Sequence, residues 1–336
     1  MHHPRPRAVA HHHHRARDDL ADDPEPRSQA ARLHDPPRRR DRLVPPGRRR
    51  GVRRAPGRGA YVRRAHAPLG VASRNVRSPV STAFGHLRYG PSAWQRIDLY
   101  GPAEPEDGTA PVAEPSQAAP VVLVHGGFWR HDRTAQDLEP LAFALTERGH
   151  RVAVLEYRPS WDGGAWPGAA EDCQAALRLL GQKDGTWDGA VLVGHSAGAH
   201  LLLAALQGQA GGARVVLLAP VTDLAEAARL GVGEGAVDVF LAEHLAAGGT
   251  HQEATPVLAP ADASSVTVVS AREDQAVPEE LTRHQLGRWA KDGLRLTTVS
   301  VPGARHMHLV NPQRPACRTV LELIGGGAAT ARKEDR

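Results

Sequence analysis

The chain has 336 residues, enough for one large domain or two modest ones, and its charge is divided unevenly along its length. Residues 1 to 80 carry 20 Arg against 7 acidic residues, a local balance of +13, while the remaining 256 carry a balance of −8, so the overall +5 describes neither part. The part able to bury a core is acidic, which argues against nucleic acid as the partner of the folded domain despite a pI near 9.7.

Two cysteines, Cys173 and Cys317, are too few and too far apart for a disulfide framework or a metal knuckle, so a reducing compartment is the default. No stretch reaches the roughly 20 apolar residues of a membrane helix, and the first 30 residues lack the apolar centre of a secretory signal. The expectation is a cytoplasmic protein with no membrane partner. Oligomeric state is left open by the sequence.

Residues 1 to 80 show neither helical nor strand periodicity and are broken by Pro36-Pro37 and Pro45-Pro46. Low apolar content with high net charge predicts disorder, because too little surface can be buried to offset chain entropy. Three readings compete: a basic arm for nucleic acid, a metal or tag tract at His11 to His14, and upstream sequence read from a misplaced start. Arg outnumbers Lys 39 to 3, and Ala, Gly, Pro and Arg dominate, a texture that favours the third, with Val80 or a nearby codon as the start.

From Leu87 onward, short apolar runs alternate with helical patterns, which predicts an α/β sheet in a domain spanning residues 81 to 336. Leu87 to Tyr89 and Arg96 to Tyr100 read as an opening pair of strands, followed by a Pro/Gly/Glu loop to Pro120. Val121 to Val124, Val152 to Tyr157, Ala190 to Val193, Val215 to Ala219, Val266 to Ser270 and Leu294 to Val301 read as the further strands. Helices are expected at Thr134 to Arg148, Ala169 to Leu180, Ser196 to Gln207, Pro278 to Lys291 and Pro315 to Ile324. Residues 221 to 258 break the rhythm with two short amphipathic stretches, read as a cap.

The strongest chemical signal is Gly194-His195-Ser196-Ala197-Gly198, a G-x-S-x-G between a predicted strand and a predicted helix. Alone the pattern is weak, and a Gly-rich turn with a Ser N-cap is the bland alternative. In a strand-to-helix turn, however, it projects the serine hydroxyl above the sheet. A second signal, His125-Gly126-Gly127-Phe128-Trp129, ends an earlier strand. Backbone N–H groups near Gly127 and Phe128, with that of Ala197, are candidates to stabilise a tetrahedral oxyanion.

A nucleophilic serine needs a base, and the base needs a carboxylate to orient it. In the order nucleophile, acid, base, Asp274 lies just past a strand and His306 lies in a loop after the next one. Glu273 and His308 are their neighbours, and spacing alone does not separate them. His125 is read as structural, orienting the oxyanion loop. Tyr157, Arg158 and Asp172 are read as bracing loops, and Cys173 as a buried thiol. Trp129, Trp161 and Trp166 are candidates to line an apolar substrate site in a chain with few aromatics, with ordinary core packing the equal alternative for Trp129.

Together, H-G-G-F-W at 125 to 129, E-Y-R-P at 156 to 159, G-H-S-A-G-A-H at 194 to 200, D-Q-A-V-P at 274 to 278 and G-A-R-H at 303 to 306 resemble an α/β-hydrolase. The closer similarity is to the carboxylesterase and kynurenine formamidase (arylformamidase) branch, and residues 89 to 102 are similar to the start of such enzymes. The resemblance covers about residues 85 to 325. It implies a mostly parallel sheet flanked by helices with a short cap, a Ser-His-Asp site, no cofactor or metal, and a small ester or amide substrate. Phe128 stands where the formamidase motif usually has Tyr, which weakens that branch. Two other classes compete: an inactive hydrolase fold used for binding, and a nucleic-acid binder working through residues 1 to 80.

Overall fold

The computed structural model describes residues 84–101, 118–183, 185–209 and 211–326. The expectations for residues 1 to 80, and most of the loop before Pro120, lie outside the described residues.

Eight strands form one sheet: β1 (Phe84–Arg88), β2 (Arg96–Tyr100), β3 (Val121–Val124), β4 (Val152–Leu155), β5 (Val191–His195), β6 (Ala213–Leu218), β7 (Ala263–Ala271) and β8 (Leu296–Val301). Their spatial order is β1-β2-β4-β3-β5-β6-β7-β8. β1, β2 and β4 are joined by antiparallel pairings, and every pairing from β4 through β3 to β8 is parallel. All four residues of β3 and of β4 are buried, as parallel strands covered on both faces must be.

The helices are α1 (Glu139–Thr146), α2 (Gly168–Gly181), α3 (Ala197–Leu206), α4 (Leu224–Arg229), α5 (Ala236–Phe240), α6 (Ala242–Ala246), α7 (Glu279–Lys291) and α8 (Pro315–Ile324). Successive strand residues point to opposite faces, so the sheet carries two cores. On one face Val121, Leu123, Val154, Val193 and Val216 meet Leu141 and Leu145 of α1 and Val320 and Ile324 of α8. On the other, Val122, Val124, Leu192, Val215 and Val268 meet Cys173 of α2, Leu201 of α3, and Leu281 and Trp289 of α7. Each such aliphatic side chain contributes about 1.5–3 kcal/mol when fully buried.

Three expectations need adjustment. The helix expected at 134 to 148 opens as a 3₁₀ turn, Ala135–Leu138, capped by the Thr134 hydroxyl accepting from the Gln136 N–H. The strand expected to reach Tyr157 ends at Leu155, where the Glu156 N–H instead donates to the Arg96 carbonyl. Residues 221 to 258 hold three short helices, α4 to α6, rather than two stretches; α4 is started by Asp223, which accepts from the Glu226 N–H.

Sheet order fixes where chemistry can occur. From β3 the chain first lays β4 on one side and later β5 on the other, so the connections after β3 and β5 leave toward opposite faces. A crevice opens between the carboxyl ends of these two strands, the place where open α/β sheets take ligands.

Candidate active site

Both motif loops end at that crevice. Ser196 follows β5 directly with φ 55° and ψ −123°, a conformation L-residues rarely adopt. It is held by three backbone hydrogen bonds: its N–H donates to the Leu218 carbonyl at 2.9 Å, and its carbonyl accepts from Ala199 at 3.0 Å and Val221 at 3.1 Å. Such strain, about 1–3 kcal/mol, persists only where the surroundings over-determine it. The turn is this tight because the two loops nearly touch. A Cβ on Gly126 would lie 2.6 Å from the Ser196 Cβ, and one on Gly198 would collide with the Val124 and His125 carbonyl oxygens.

Ser196 Oγ is buried and makes no hydrogen bond to the described residues. It lines a cavity of about 260 Å³ together with Gly126, Gly127, Phe128, His195 and His306. His306 Nδ1 lies 2.7 Å from Asp274 Oδ2, and Asp274 Oδ1 accepts from the N–H groups of Ala276 at 2.8 Å and Val277 at 2.9 Å. The Asp274 side chain is 2% exposed and that of His306 17%. A buried carboxylate thus fixes the ring while its other edge remains open to the cavity.

The neighbours that spacing could not separate are now apart. Glu273 is exposed, and His308 turns its Nδ1 back to accept from the Arg305 N–H at 3.2 Å. Ala197 begins α3, so its N–H has no partner within the helix and points out of the positive end of the helix dipole. Gly127, Phe128 and Trp129 all have positive φ, 108°, 52° and 58°, which bends the loop after β3 over the crevice.

That loop is braced from beneath. His125 Nε2 lies 2.9 Å from Glu156 Oε1, and the Tyr157 hydroxyl donates to the His125 carbonyl at 2.9 Å, with the two rings stacked 4.3 Å apart. Glu156 also accepts from the Ala135 N–H at 3.0 Å and pairs with Arg96 at 3.4 Å. Burial pushes the Tyr157 phenol well above its ordinary pKa, which keeps it a donor. Arg158 and Asp172 form a two-pronged pair at 2.8 and 2.7 Å, and the Cys173 thiol is buried and pushed upward by desolvation. His125, Tyr157, Arg158, Asp172 and Cys173 therefore hold the positions expected of them.

The three tryptophans fare differently. Trp161 is 65% exposed at the mouth of a second cavity of about 580 Å³. Trp129 has its side chain fully buried, stacked 4.2 Å from the Phe240 ring, and borders this second cavity rather than the one that holds Ser196. The left-handed backbone at 129 turns the indole down into the core. Trp166 is partly buried against the same cluster, 5.4 Å from the His200 ring and 6.2 Å from that of Phe240.

Several site residues had no clear sequence signal. His195 lies with its ring 4.7 Å from that of His306, and burial followed by the neighbouring His306 holds its pKa well below the ordinary value. Arg133, Asp137, Ala276 and Met307 also line the cavity. Glu156 could have been suspected as an acidic residue closing an otherwise apolar strand.

Comparison with known proteins bears on the fold. The BD-FAE family model matches residues 107–225, a stretch that includes the loop after β3 and Ser196 but ends before Asp274 and His306. No curated protein matches the sequence. Esterase B from Lactobacillus rhamnosis HN001 is similar in structure with a TM-score of 0.59 at 20% identity, over 74% of this chain and 85% of its own. A truncated carbohydrate esterase from gut microbiota gives 0.59 at 15%, over 73% and 96%. A thermophilic esterase of the planctomycete Thermogutta terrifontis gives 0.54 at 20%, over 74% and 95%. The chain has the α/β-hydrolase fold: a mostly parallel sheet of eight strands between two layers of helices, with its motif loops at the switch point.

Proposed function

We propose that the protein is a serine hydrolase acting on small carboxylic esters through an acyl-enzyme on Ser196. The observation that carries this reading is the 2.7 Å Asp274–His306 pair opening on the same small cavity as the strained, buried Ser196. His306 closes onto Ser196 and takes its proton as Oγ attacks the carbonyl carbon; such contacts commonly tighten only when substrate is bound. The oxyanion is held by the N–H of Ala197 and by N–H groups at Gly127 and Phe128. Collapse of the tetrahedral species breaks the bond to the leaving oxygen, which receives the proton from His306. Water then repeats the cycle and releases the acid. Asp274 orients the ring and stabilises the imidazolium. No step calls for a cofactor.

Ester rather than amide cleavage is favoured by the esterase neighbours and by Phe128 in place of the tyrosine usual in formamidases. Ser196→Ala is expected to abolish turnover of p-nitrophenyl acetate while the circular dichroism spectrum is kept; retained turnover refutes the nucleophile. A panel comparing N-formylkynurenine with short aryl esters decides between the two substrate types.

A further inference from the structure

The cavity that holds Ser196, at about 260 Å³, is smaller than the about 300–1,000 Å³ typical of small-molecule sites. Beside it lies the 580 Å³ chamber between the loop after β4 and helices α5 and α6. Phe128 is a wall of both. Its ring packs on Gly233, where a Cβ would lie 2.7 Å away, and Arg130 clamps it from above, 6.0 Å over the ring with a 2.8 Å hydrogen bond to the Gly233 carbonyl.

Exposed apolar side chains single out this chamber. Five large ones are exposed among the described residues; the two most exposed, Trp161 at 65% and Val239 at 66%, both line it, and a third, Met307, lines the catalytic cavity. Apolar surface held open to water beside a nucleophile marks a binding wall. The charged residues of the chamber, Arg130, Asp132, Glu234 and Glu243, are all exposed. A third cavity, about 370 Å³, also touches Phe128, but none of the five exposed apolar side chains lines it.

We infer that the chamber bounded by Phe128, Trp161, Val239 and Ala242 is the subsite for an apolar arm of the ester, and that the preferred substrates carry a chain too long for the cavity at Ser196. The Phe128 ring is the partition between reacting carbonyl and chamber. This rests on the ester-hydrolase reading above and adds the substrate class to it.

The test is kcat/KM across p-nitrophenyl acetate to octanoate, and across ethyl to octyl acetate, so that an acyl arm and an alcohol arm are told apart. In one of the two series the wild-type value rises about fourfold per methylene until the chamber is full. Val239→Asp and Ala242→Trp, both at exposed positions, lower the C8 substrate of that series at least about tenfold and keep the short ester within about twofold, while Val257→Asp, at an exposed apolar side chain that lines none of these three cavities, changes neither. An unchanged C8-to-C2 ratio in both chamber variants overturns the subsite and leaves the hydrolase reading standing. Absence of turnover on every ester overturns the hydrolase reading instead. Calorimetric binding of p-nitrophenyl octanoate and of octyl acetate to Ser196→Ala protein then decides the chamber: affinity for either lowered about tenfold by Val239→Asp supports it, and equal affinity for both overturns it.

Discussion

Ser196 concentrates the argument at the scale of single residues. Its φ of 55° is tolerable for glycine and costly for serine, and its buried hydroxyl has no partner among the described residues. Ser196→Gly is therefore expected to remove activity and to raise unfolding free energy by about 1 kcal/mol, read from the denaturant midpoint. Ser196→Ala keeps the strain and gains less. Asp274→Asn is expected to lower kcat by about 10⁴ with the fold retained, since the amide leaves His306 in the wrong tautomer. Glu273→Gln and His308→Gln keep near-native kcat in the same assay. Spacing had left these pairs undivided; the turn at 274–277, where the carboxylate accepts two backbone N–H groups, is what separates them.

Among elements, the loop after β3 depends on the end of β4. Glu156 is a buried carboxylate that serves His125, Arg96 and the Ala135 N–H at once. Glu156→Ala leaves buried polar groups without a partner and is expected to cost about 3–5 kcal/mol of stability in denaturant unfolding. A double-mutant cycle with His125→Ala should show non-additivity, because the two act as one unit. The run of apolar residues ending in Glu156 was legible as a strand. That its terminal carboxylate supports the crevice became visible only when β4 was seen beside β3.

Acid stability is a property of the whole molecule. Complete burial lowers the His200 pKa from 6.5 to about 4, with its Nε2 2.8 Å from the Ala254 carbonyl. The native state keeps this ring neutral while the unfolded chain takes up a proton below pH 6.5. Stability is therefore full above about 6.5 and falls as pH drops toward 4, by about 3 kcal/mol from this group, with no further loss below its folded pKa. Buried His195 acts in the same direction. His200→Gln should flatten the slope of unfolding free energy against pH between 4 and 6.5; an unchanged slope refutes the assignment.

The sequence by itself determined the strand-and-helix alternation, because each buried strand needs a continuous apolar run and each helix a periodic one. It also marked the turn at Ser196, because Gly194 and Gly198 stand where a Cβ would meet backbone atoms. Only the tertiary structure decided which acid and which histidine meet, that the Trp129 indole is buried while that of Trp161 is exposed, and that His195 lies against His306. Those outcomes depend on contacts between residues far apart in the chain, on the sheet order that brings β3 and β5 side by side, and on left-handed backbone at positions 128 and 129, none of which spacing encodes.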